Sequence, residues 1–264
     1  MKLIRIDDLT AADIRAIWQL AAKPFSPLQG NVAWSFEGNG IRTRTTFIQA
    51  FRELNLQFVE LPNLLKTTER ACDLAGYLDP FYDIYVVRDS NHERLTEFAQ
   101  ASHRPVVNAM TSLGHPCEVL TDAYSIEKNI GALDTVHITL WGPTTNVFRS
   151  WHELAHVLGF ELVQVCEAQF HETLPNVRFT DKIDGIADVI ITDSWPTNYQ
   201  NPQWSLSADQ LEALGQPKLI ATPPFHIGQE LAFDPLQYKG FMGYLQKMDL
   251  LPVQKAILSY LLAQ

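Results

Sequence analysis

The sequence predicts an α/β protein made of two doubly wound parallel-sheet domains linked by helices. Short apolar segments such as NVAWSF (31–36) and TVHITLWGP (135–143) are typical of buried strands. Segments with helical apolar spacing alternate with them, and this alternation indicates parallel sheets with helices on both faces. The alternation occurs twice, and the two runs meet near a predicted helix at 115–131.

The first run begins with a helix that Asp8 or Thr10 can cap. Its apolar stripe includes Leu9, Ile14 and Leu20. The elements predicted after it are, in order, a strand at 31–36, a helix at 42–55, a strand at 83–88, a helix at 92–102 and a strand at 105–110.

The second run follows the same pattern, and Gly159 is a suitable C-terminal stop for its first helix. The elements predicted here are a strand at 135–143, a helix at 146–159, strands at 160–166, 187–193 and 217–225, and an amphipathic helix at 251–264. In doubly wound sheets ligands bind beyond the carboxyl ends of the strands, so we expect the chemistry there.

Composition narrows the classes of function. The chain has 264 residues and a formal net charge of −10, which argues against nucleic acid as a partner. Its three cysteines are scattered and indicate neither a disulfide framework nor a zinc site. The start is not a signal peptide and no apolar run reaches membrane length, so we expect a cytoplasmic protein without a membrane partner.

The segment RSWHELAHVLGFELV contains an H-E-x-x-H pattern, His152 to His156, which on a helix can bind zinc. However, Trp151, Leu154 and Leu158 form the apolar face of this helix, and the two histidines lie away from it. No third ligand follows at the expected spacing, because position 162 is Leu. We interpret the segment as a sheet-covering helix whose polar side faces water, and we expect no metal.

A loop that suits a phosphate follows the first strand, in the sequence EGNGIRTRTTF. Gly38 and Gly40 allow the backbone to approach a ligand, and a helix N-terminus with unpaired N–H groups comes next. Arg42, Thr43 and Arg44 add positive charge and a hydroxyl there. A tight turn with exposed arginines is the alternative interpretation.

Two further polar residues end neighbouring strands. Arg88 closes the strand DIYVVR, and His115 opens the helix after PVVNAM. Both are therefore expected at the sheet edge that carries the Arg42 loop. A histidine near arginines at a strand end is a candidate to polarise a carbonyl group.

These residues resemble motifs of the aspartate/ornithine carbamoyltransferase superfamily, and the resemblance runs nearly end to end. The family's Ser-Thr-Arg-Thr-Arg loop, its "vvR" strand and its His-Pro-x-Gln correspond to FEGNGIRTRTTF, IYVVR and HPCE. WGPTTNVFRS is similar to the family's G-D-x-x-N-V, and ITDSWPTN to the ornithine branch's Y-T-D-x-W-x-S-M. TPPFHIGQE and VQKAIL stand where H-C-L-P-x-x-x-G-E-E and the closing helix are expected.

The resemblance implies transfer of the carbamoyl group of carbamoyl phosphate to an amine, without a metal or an organic cofactor. It implies catalytic roles for Arg42, Arg88 and His115, which with Thr43 would hold the phosphate and the carbamoyl oxygen. Asn146 would meet the α-carboxylate of the acceptor and Asp193 its α-amine, which favours an ornithine-like acceptor over aspartate. The other substrate-binding positions it implies are Gly40, Ile41, Glu118, Thr197, Asn198, Thr222 and Pro223.

It also implies two domains and a homotrimer. A carbamoyl-phosphate-binding domain would span 1–125 and be completed by the C-terminal helix 250–264, and an amino-acid-binding domain would span 126–249. Lys66 stands where some members lend a residue to a neighbouring subunit, but we interpret it as a solvated lysine.

The departures from the family cluster at the site. Gly40 and Ile41 replace a serine and a threonine, and Glu118 replaces the glutamine, adding negative charge unless it is protonated or paired. The other departures are Pro143 for aspartate, Thr222 for cysteine, Pro223 for leucine and Leu250 for arginine. Three hypotheses therefore stay open: a divergent carbamoyltransferase, a non-catalytic paralogue that binds a small anion or a partner protein, and a transferase with a different donor.

Overall fold

The computed structural model describes residues 1–182 and 185–264. The strands in these residues are β1 Asn31–Phe36, β2 Gln57–Glu60, β3 Ile84–Arg88, β4 Val106–Met110, β5 Ile138–Trp141, β6 Leu162–Val165, β7 Val177–Thr180, β8 Val189–Thr192 and β9 Lys218–Ala221. The helices are α1 Ala11–Ala21, α2 Ile41–Glu53, α3 Ala71–Leu78, α4 His92–Ala101, α5 Pro116–Asn129, α6 Asn146–Leu158, α7 Ala208–Ala213, α8 Leu245–Met248 and α9 Leu250–Leu262.

The chain forms two compact units, each with one parallel sheet. Unit 1 comprises Met1–Asp122 and Lys247–Gln264, and its sheet has the strand order β2-β1-β3-β4. Unit 2 comprises Ala123–Gln246, and its sheet has the order β7-β6-β5-β8-β9. The predicted fold class, two parallel α/β sheets, is confirmed.

Both sheets reverse their winding direction at an internal pair of strands. In unit 1 the order changes direction between β1 and β3, which pair from Val32↔Ile84 to Phe36↔Arg88. In unit 2 it changes between β5 and β8, which pair from Ile138↔Val189 to Trp141↔Thr192. The connections that leave such a pair diverge to opposite faces of the sheet and open a crevice at the carboxyl ends, where ligands bind.

The sequence patterns did not predict β2 and β7, because both are edge strands without a continuous apolar run. In β2 only Phe58 is half-buried, and Gln57, Val59 and Glu60 are exposed. In β7 every residue is at least partly exposed. The inner strands were predicted because they are apolar and buried along nearly their whole length, as in β1, β3, β5 and β8.

The core of unit 1 lies under α3 and α4, where Tyr85 and Phe98 form an edge-to-face pair with ring centroids 5.0 Å apart. The two ends of the chain also meet in this unit. Thr10 caps α1 as predicted, and α9 packs against α1 and α2. Tyr260 on α9 donates a hydrogen bond to Asp13 on α1.

The core of unit 2 gathers around Trp141, Ile190 and Leu219, from three neighbouring strands. Leu206, Leu211 and Leu231 close it from the connecting segments. Among the residues that the structure describes, no helix has the length and apolar character that crossing a membrane requires.

Candidate functional site

The loop between β1 and α2 carries the predicted phosphate-binding residues of unit 1. Gly40 caps α2 in the left-handed conformation, with φ 42° and ψ 32°. Thr43 lies in the first turn and is buried, whereas Arg42 and Ile41 are exposed, Ile41 by 69%. The first turn of the helix thus presents its N–H groups, one buried hydroxyl and one guanidinium on the carboxyl side of the sheet.

Arg88 joins this loop from the neighbouring strand. Its Nη1 donates a hydrogen bond of 3.0 Å to Thr43 Oγ1. Burial lowers the pKa of Arg88, and the charge of Arg42 lowers it further, so the two guanidiniums lie near each other. An arginine keeps its charge even so, and a half-buried guanidinium with a second, exposed guanidinium nearby favours an anionic ligand.

Gly40 is packed directly against Arg88. A Cβ atom at position 40 would lie 3.2 Å from Arg88 Cδ and 3.3 Å from Phe36 Cδ2. A side chain at position 40 would therefore require a small shift of Arg88 or Phe36. Gly40 thus leaves room for the Arg88 side chain.

Lys66 forms ion pairs with both loops that follow β1 and β3. Its Nζ lies 3.0 Å from Glu37 Oε1 and 3.1 Å from Asp89 Oδ1. Glu37 Oε2 also accepts a hydrogen bond of 2.6 Å from the backbone N–H of Ser90. That bond and Lys66 together lower the pKa of Glu37 to about 2. Lys66 is exposed, as the interpretation of a solvated lysine expects, and it is also paired with two carboxylates of its own chain.

Arg44 contacts residues of the neighbouring strands β1 and β2. Its guanidinium lies 4.7 Å from the centre of the Trp34 ring, and its Nη1 lies 2.7 Å from Glu60 Oε1. Arg44 thus connects α2 to β1 and β2. Its charge is paired with Glu60 and contributes little to the binding of an anion at the loop.

His115 lies at the start of α5, where its carbonyl oxygen accepts from Val119 N at 3.2 Å. It is buried, with 8% of its surface exposed. Burial lowers the pKa of His115 to about 4, and the charges of Arg88 and Lys247 act in the same direction. At neutral pH the imidazole is therefore uncharged, and it can donate one N–H to a carbonyl oxygen.

Glu118 is buried on the first turn of α5 and is paired rather than isolated. Lys247 Nζ donates to Glu118 Oε1 and lies 3.3 Å from Asp122 Oδ1. Burial by itself raises the pKa of Glu118, but the charge of Lys247 opposes this, and the pKa ends below its ordinary value. Glu118 therefore stays ionised, and both acids have a buried counter-ion.

Lys247 was missed by the sequence patterns because it lies 129 residues from Glu118 along the chain. One signal was available: Glu118 and Asp122 lie four residues apart on the same helix. Two acids at this spacing on a buried helix require a cation from elsewhere in the fold.

Unit 2 carries the predicted acceptor residues, and the structure brings most of them to one sheet edge. Asn146 opens α6 after β5, with Thr145 as its cap. Asp193 follows β8 and is 9% exposed. Thr222 follows β9, is buried, and donates its backbone N–H to Thr192 O at 2.9 Å. These residues follow three adjacent strands of the sheet.

Thr197 and Asn198, two further predicted substrate-binding residues, do not directly follow a strand of this sheet. Both are exposed, on the loop between Trp195 and Tyr199. The rings of those two residues form an edge-to-face pair with centroids 4.9 Å apart. Pro223 is half-buried beside Thr222.

The H-E-x-x-H segment forms α6 as predicted, but the placement of His152 was wrong. His152 does not face water: it is 7% exposed, and its Nε2 donates to Gln164 Oε1 at 2.7 Å. Phe179 packs edge-to-face against its ring. Burial lowers the pKa of His152 to about 4, whereas His156 is exposed. His152 thus secures α6 to β6, and no metal-binding cluster occurs in residues 1–182 or 185–264.

The fold and the edge of unit 1 define a class: a two-unit parallel α/β protein with two arginines and a neutral histidine at a topological switch point. The sequence of unit 1 matches the family described as aspartate/ornithine carbamoyltransferase, carbamoyl-P binding domain, over residues 1–128. Over these residues the chain is thus similar to the carbamoyl-phosphate-binding domain of the aspartate/ornithine carbamoyltransferases, and the similar proteins are named ornithine carbamoyltransferase.

Several members are similar over nearly the whole chain. An ornithine carbamoyltransferase of Prochlorococcus marinus is 28% identical, over 98% of this chain and 93% of that protein. The crystal structure of an ornithine carbamoyltransferase from Burkholderia thailandensis superposes with a TM-score of 0.90 at 21% identity, covering 99% of this chain and 98% of that one. An N-acetyl-L-ornithine transcarbamylase, solved with carbamyl phosphate and N-succinyl-L-norvaline, gives 0.83 at 19% identity over 99% of both chains.

Proposed function

We propose that this protein is a carbamoyltransferase, which moves the carbamoyl group of carbamoyl phosphate to the amine of an ornithine-like amino acid or related amine. The products are a ureido compound and phosphate. The observation that supports the proposal is that Arg42, Thr43 and Arg88 lie together at the N-terminus of α2, with neutral His115, just before α5, within electrostatic range of Arg88.

The chemistry follows from these groups. The amine nitrogen attacks the carbamoyl carbon, the carbonyl oxygen becomes an oxyanion, and the bond from carbon to the phosphate oxygen then breaks. The nitrogen loses its proton, and the electron pair of the broken bond leaves with phosphate. Arg42 and Arg88 stabilise the charge on the leaving phosphate, and His115 donates a hydrogen bond to the carbonyl oxygen.

We assign the acceptor to the edge of unit 2. Asn146 has a side-chain amide that can bind a carboxylate, and Asp193 has a carboxylate that can bind an ammonium group. A carboxylate at position 193 favours an acceptor that carries an α-amine in addition to the amine that reacts. Related proteins named ornithine carbamoyltransferase support this class of acceptor.

The assembly and location that we propose are a homotrimer in the cytoplasm, acting in amino-acid metabolism. A closed cyclic oligomer is physically reasonable for a chain of this size. Light scattering on the purified protein is expected to give three times the mass of one chain.

The test is phosphate release from carbamoyl phosphate with ornithine and a panel of diamines and amino acids, together with mass detection of ureido products. Arg88→Ala is expected to lower turnover by at least about 100-fold, because it removes a cation that stabilises the transition state. Arg52→Ala, an exposed arginine at the other end of α2, is the matched control. Absence of a ureido product with every amine tested would contradict the proposal and favour a non-catalytic paralogue or another donor.

A further inference from the structure

The loop after β8, residues 194–204, is joined to other parts of unit 2 by contacts that the proposed chemistry does not use. Glu167, on the connection that follows β6, is the centre of these contacts. Its Oε1 accepts a hydrogen bond of 3.1 Å from the hydroxyl of Tyr199 and another from Nδ2 of Asn201. Its Oε2 accepts from Nε2 of Gln169 on its own connection. A single carboxylate thus links the loop after β8 to the connection after β6.

Aromatic packing reinforces this link. The ring of Tyr199 packs edge-to-face against that of Phe170, with centroids 5.2 Å apart, and also against that of Trp195. Burial, and then the hydrogen bond to Glu167, raise the pKa of Tyr199, so the hydroxyl keeps the proton that it donates. The two segments are therefore held together by hydrogen bonds and by ring contacts.

The same loop also contacts the end of β5. Trp141, the last residue of β5, donates its indole N–H to Trp204 O at 2.9 Å. A Cβ atom on Gly142 would lie 3.2 Å from Nε1 of Trp195, so this indole packs on the residue that follows β5. In the sheet, β5 lies between β6 and β8. The loop thus crosses the carboxyl end of β5 to reach Glu167, at the edge to which the acceptor is assigned.

We propose that Glu167 is a positioning residue for the acceptor, because it holds the loop after β8, and with it Thr197 and Asn198, before the acceptor binds. These two residues lie between the tryptophan and tyrosine rings of the loop, so the anchored rings determine where they lie. Ordering a loop costs conformational entropy, and a loop that is already held in the free protein leaves more of the binding free energy for affinity. The inference rests on the proposed function, since it assumes that Thr197 and Asn198 contact the acceptor.

A carboxylate suits this role because both of its oxygens accept hydrogen bonds. Glutamine at position 167 keeps one accepting oxygen, but its NH2 group would face the NH2 group of Gln169. Glu167→Gln should therefore retain the contacts with Tyr199 and Asn201, whereas Glu167→Ala removes all three. The two variants together separate the loss of the contacts from the loss of the charge.

The first experiment measures amide hydrogen exchange in residues 194–204, and the affinity for L-ornithine by titration calorimetry, in the full-length protein. In Glu167→Ala we expect exchange of the loop about tenfold faster and binding about tenfold weaker, the size expected of one hydrogen bond to a charged group. Glu167→Gln should stay within about threefold of the wild type. Glu172→Ala, exposed on the same connection, is the matched control and should behave as wild type. If another amine of the panel gives the ureido product, that amine replaces L-ornithine.

Tyr199→Phe tests the contact with a smaller change, because it removes only a hydroxyl. It should weaken the binding of L-ornithine by about threefold to tenfold. Added to Glu167→Ala, it should cause no further loss, since the two residues act through one contact. Kinetics provide a further readout: in Glu167→Ala the KM for the acceptor should rise, while kcat and the KM for carbamoyl phosphate stay unchanged, as loss of acceptor binding alone requires.

The outcomes separate this proposal from the proposed function. Faster exchange with an unchanged affinity for L-ornithine would overturn the positioning role and leave a purely structural contact. Unchanged exchange would show that Glu167 does not hold the loop. If Glu167→Ala does not fold, Tyr199→Phe decides by the same two measurements. A wild type that binds L-ornithine without turnover would contradict carbamoyl transfer but not the role of Glu167, whereas one that neither binds nor carbamoylates any amine of the panel would overturn both.

Discussion

At the level of single residues, two positions near the proposed site have specific packing or charge partners. Gly40 leaves space that the Arg88 side chain occupies. Glu118 carries a negative charge that Lys247 balances. Each position is therefore explained by its own neighbour in the fold.

Gly40→Ala tests this packing. The variant should lose about 1–2 kcal/mol of stability, because a residue with a Cβ is strained in the left-handed conformation. It should also bind carbamoyl phosphate about tenfold more weakly, since the new methyl group displaces Arg88 from Thr43. Urea unfolding and calorimetry measure the two effects.

Gly159→Ala is the control for strain alone. Gly159 also has a positive φ, 74°, and a Cβ there meets nothing within 4 Å. It should lose similar stability but keep its affinity. Equal affinities in the two variants would show that position 40 does not constrain Arg88.

At the scale of elements, a buried histidine joins α6 to β6. His152 donates to Gln164, and Gln164 Nε2 in turn donates to Gly142 O at 2.9 Å. The hydrogen bonds thus link the middle of α6 to the residue that follows β5. The polar pattern that resembled a metal site is a structural contact between a helix and the sheet beneath it.

The burial of His152 makes unit 2 sensitive to acid, because burial disfavours the charged imidazolium and outweighs the opposing effect of the hydrogen bond to Gln164. The pKa of His152 falls from 6.5 to about 4 on folding, so the unfolded chain binds the proton more readily. The stabilisation from His152 is complete above pH 6.5 and is lost as the pH falls towards 4. The loss is at most about 3 kcal/mol.

His152→Phe should therefore unfold with a weaker pH dependence between pH 7 and pH 4.5 in urea titrations. His156→Gln, four residues further along the same helix and exposed, should keep the wild-type dependence. If both variants retain the full slope, His152 does not account for it.

At the scale of the whole molecule, unit 1 is assembled from both ends of the chain. Its last helix, α9, buries Val253, Ile257 and Leu261. Lys255 on the same helix lies over the Phe25 ring at 4.5 Å. The core of unit 1, which carries the proposed anion site, thus includes residues of α9.

Ile257→Ala should reveal this dependence. The substitution leaves a cavity against α1 and α2 and should cost about 2–5 kcal/mol, as truncations of buried aliphatic side chains do. Ser259→Ala, on the half-exposed side of α9, should change stability little. A loss below about 1 kcal/mol for Ile257→Ala would mean that α9 contributes little to unit 1.

The fold class and most of the inner elements were predictable from the amino-acid sequence. Buried parallel strands are continuous apolar runs and the helices have regular apolar spacing, so local composition identifies them. It also placed Arg42, Arg88 and His115 at strand ends, and order in the chain is enough for that. Edge strands such as β2 and β7 lack the apolar run, and patterns did not find them.

The pairing of the polar residues, in contrast, became apparent only in the folded chain. Lys66 with Glu37, His152 with Gln164 and Lys247 with Glu118 are all contacts between distant segments. No local pattern encodes them, because burial and electrostatic pairing depend on which segments the folded chain brings together. For the same reason, only the folded chain shows that Glu118 keeps its charge.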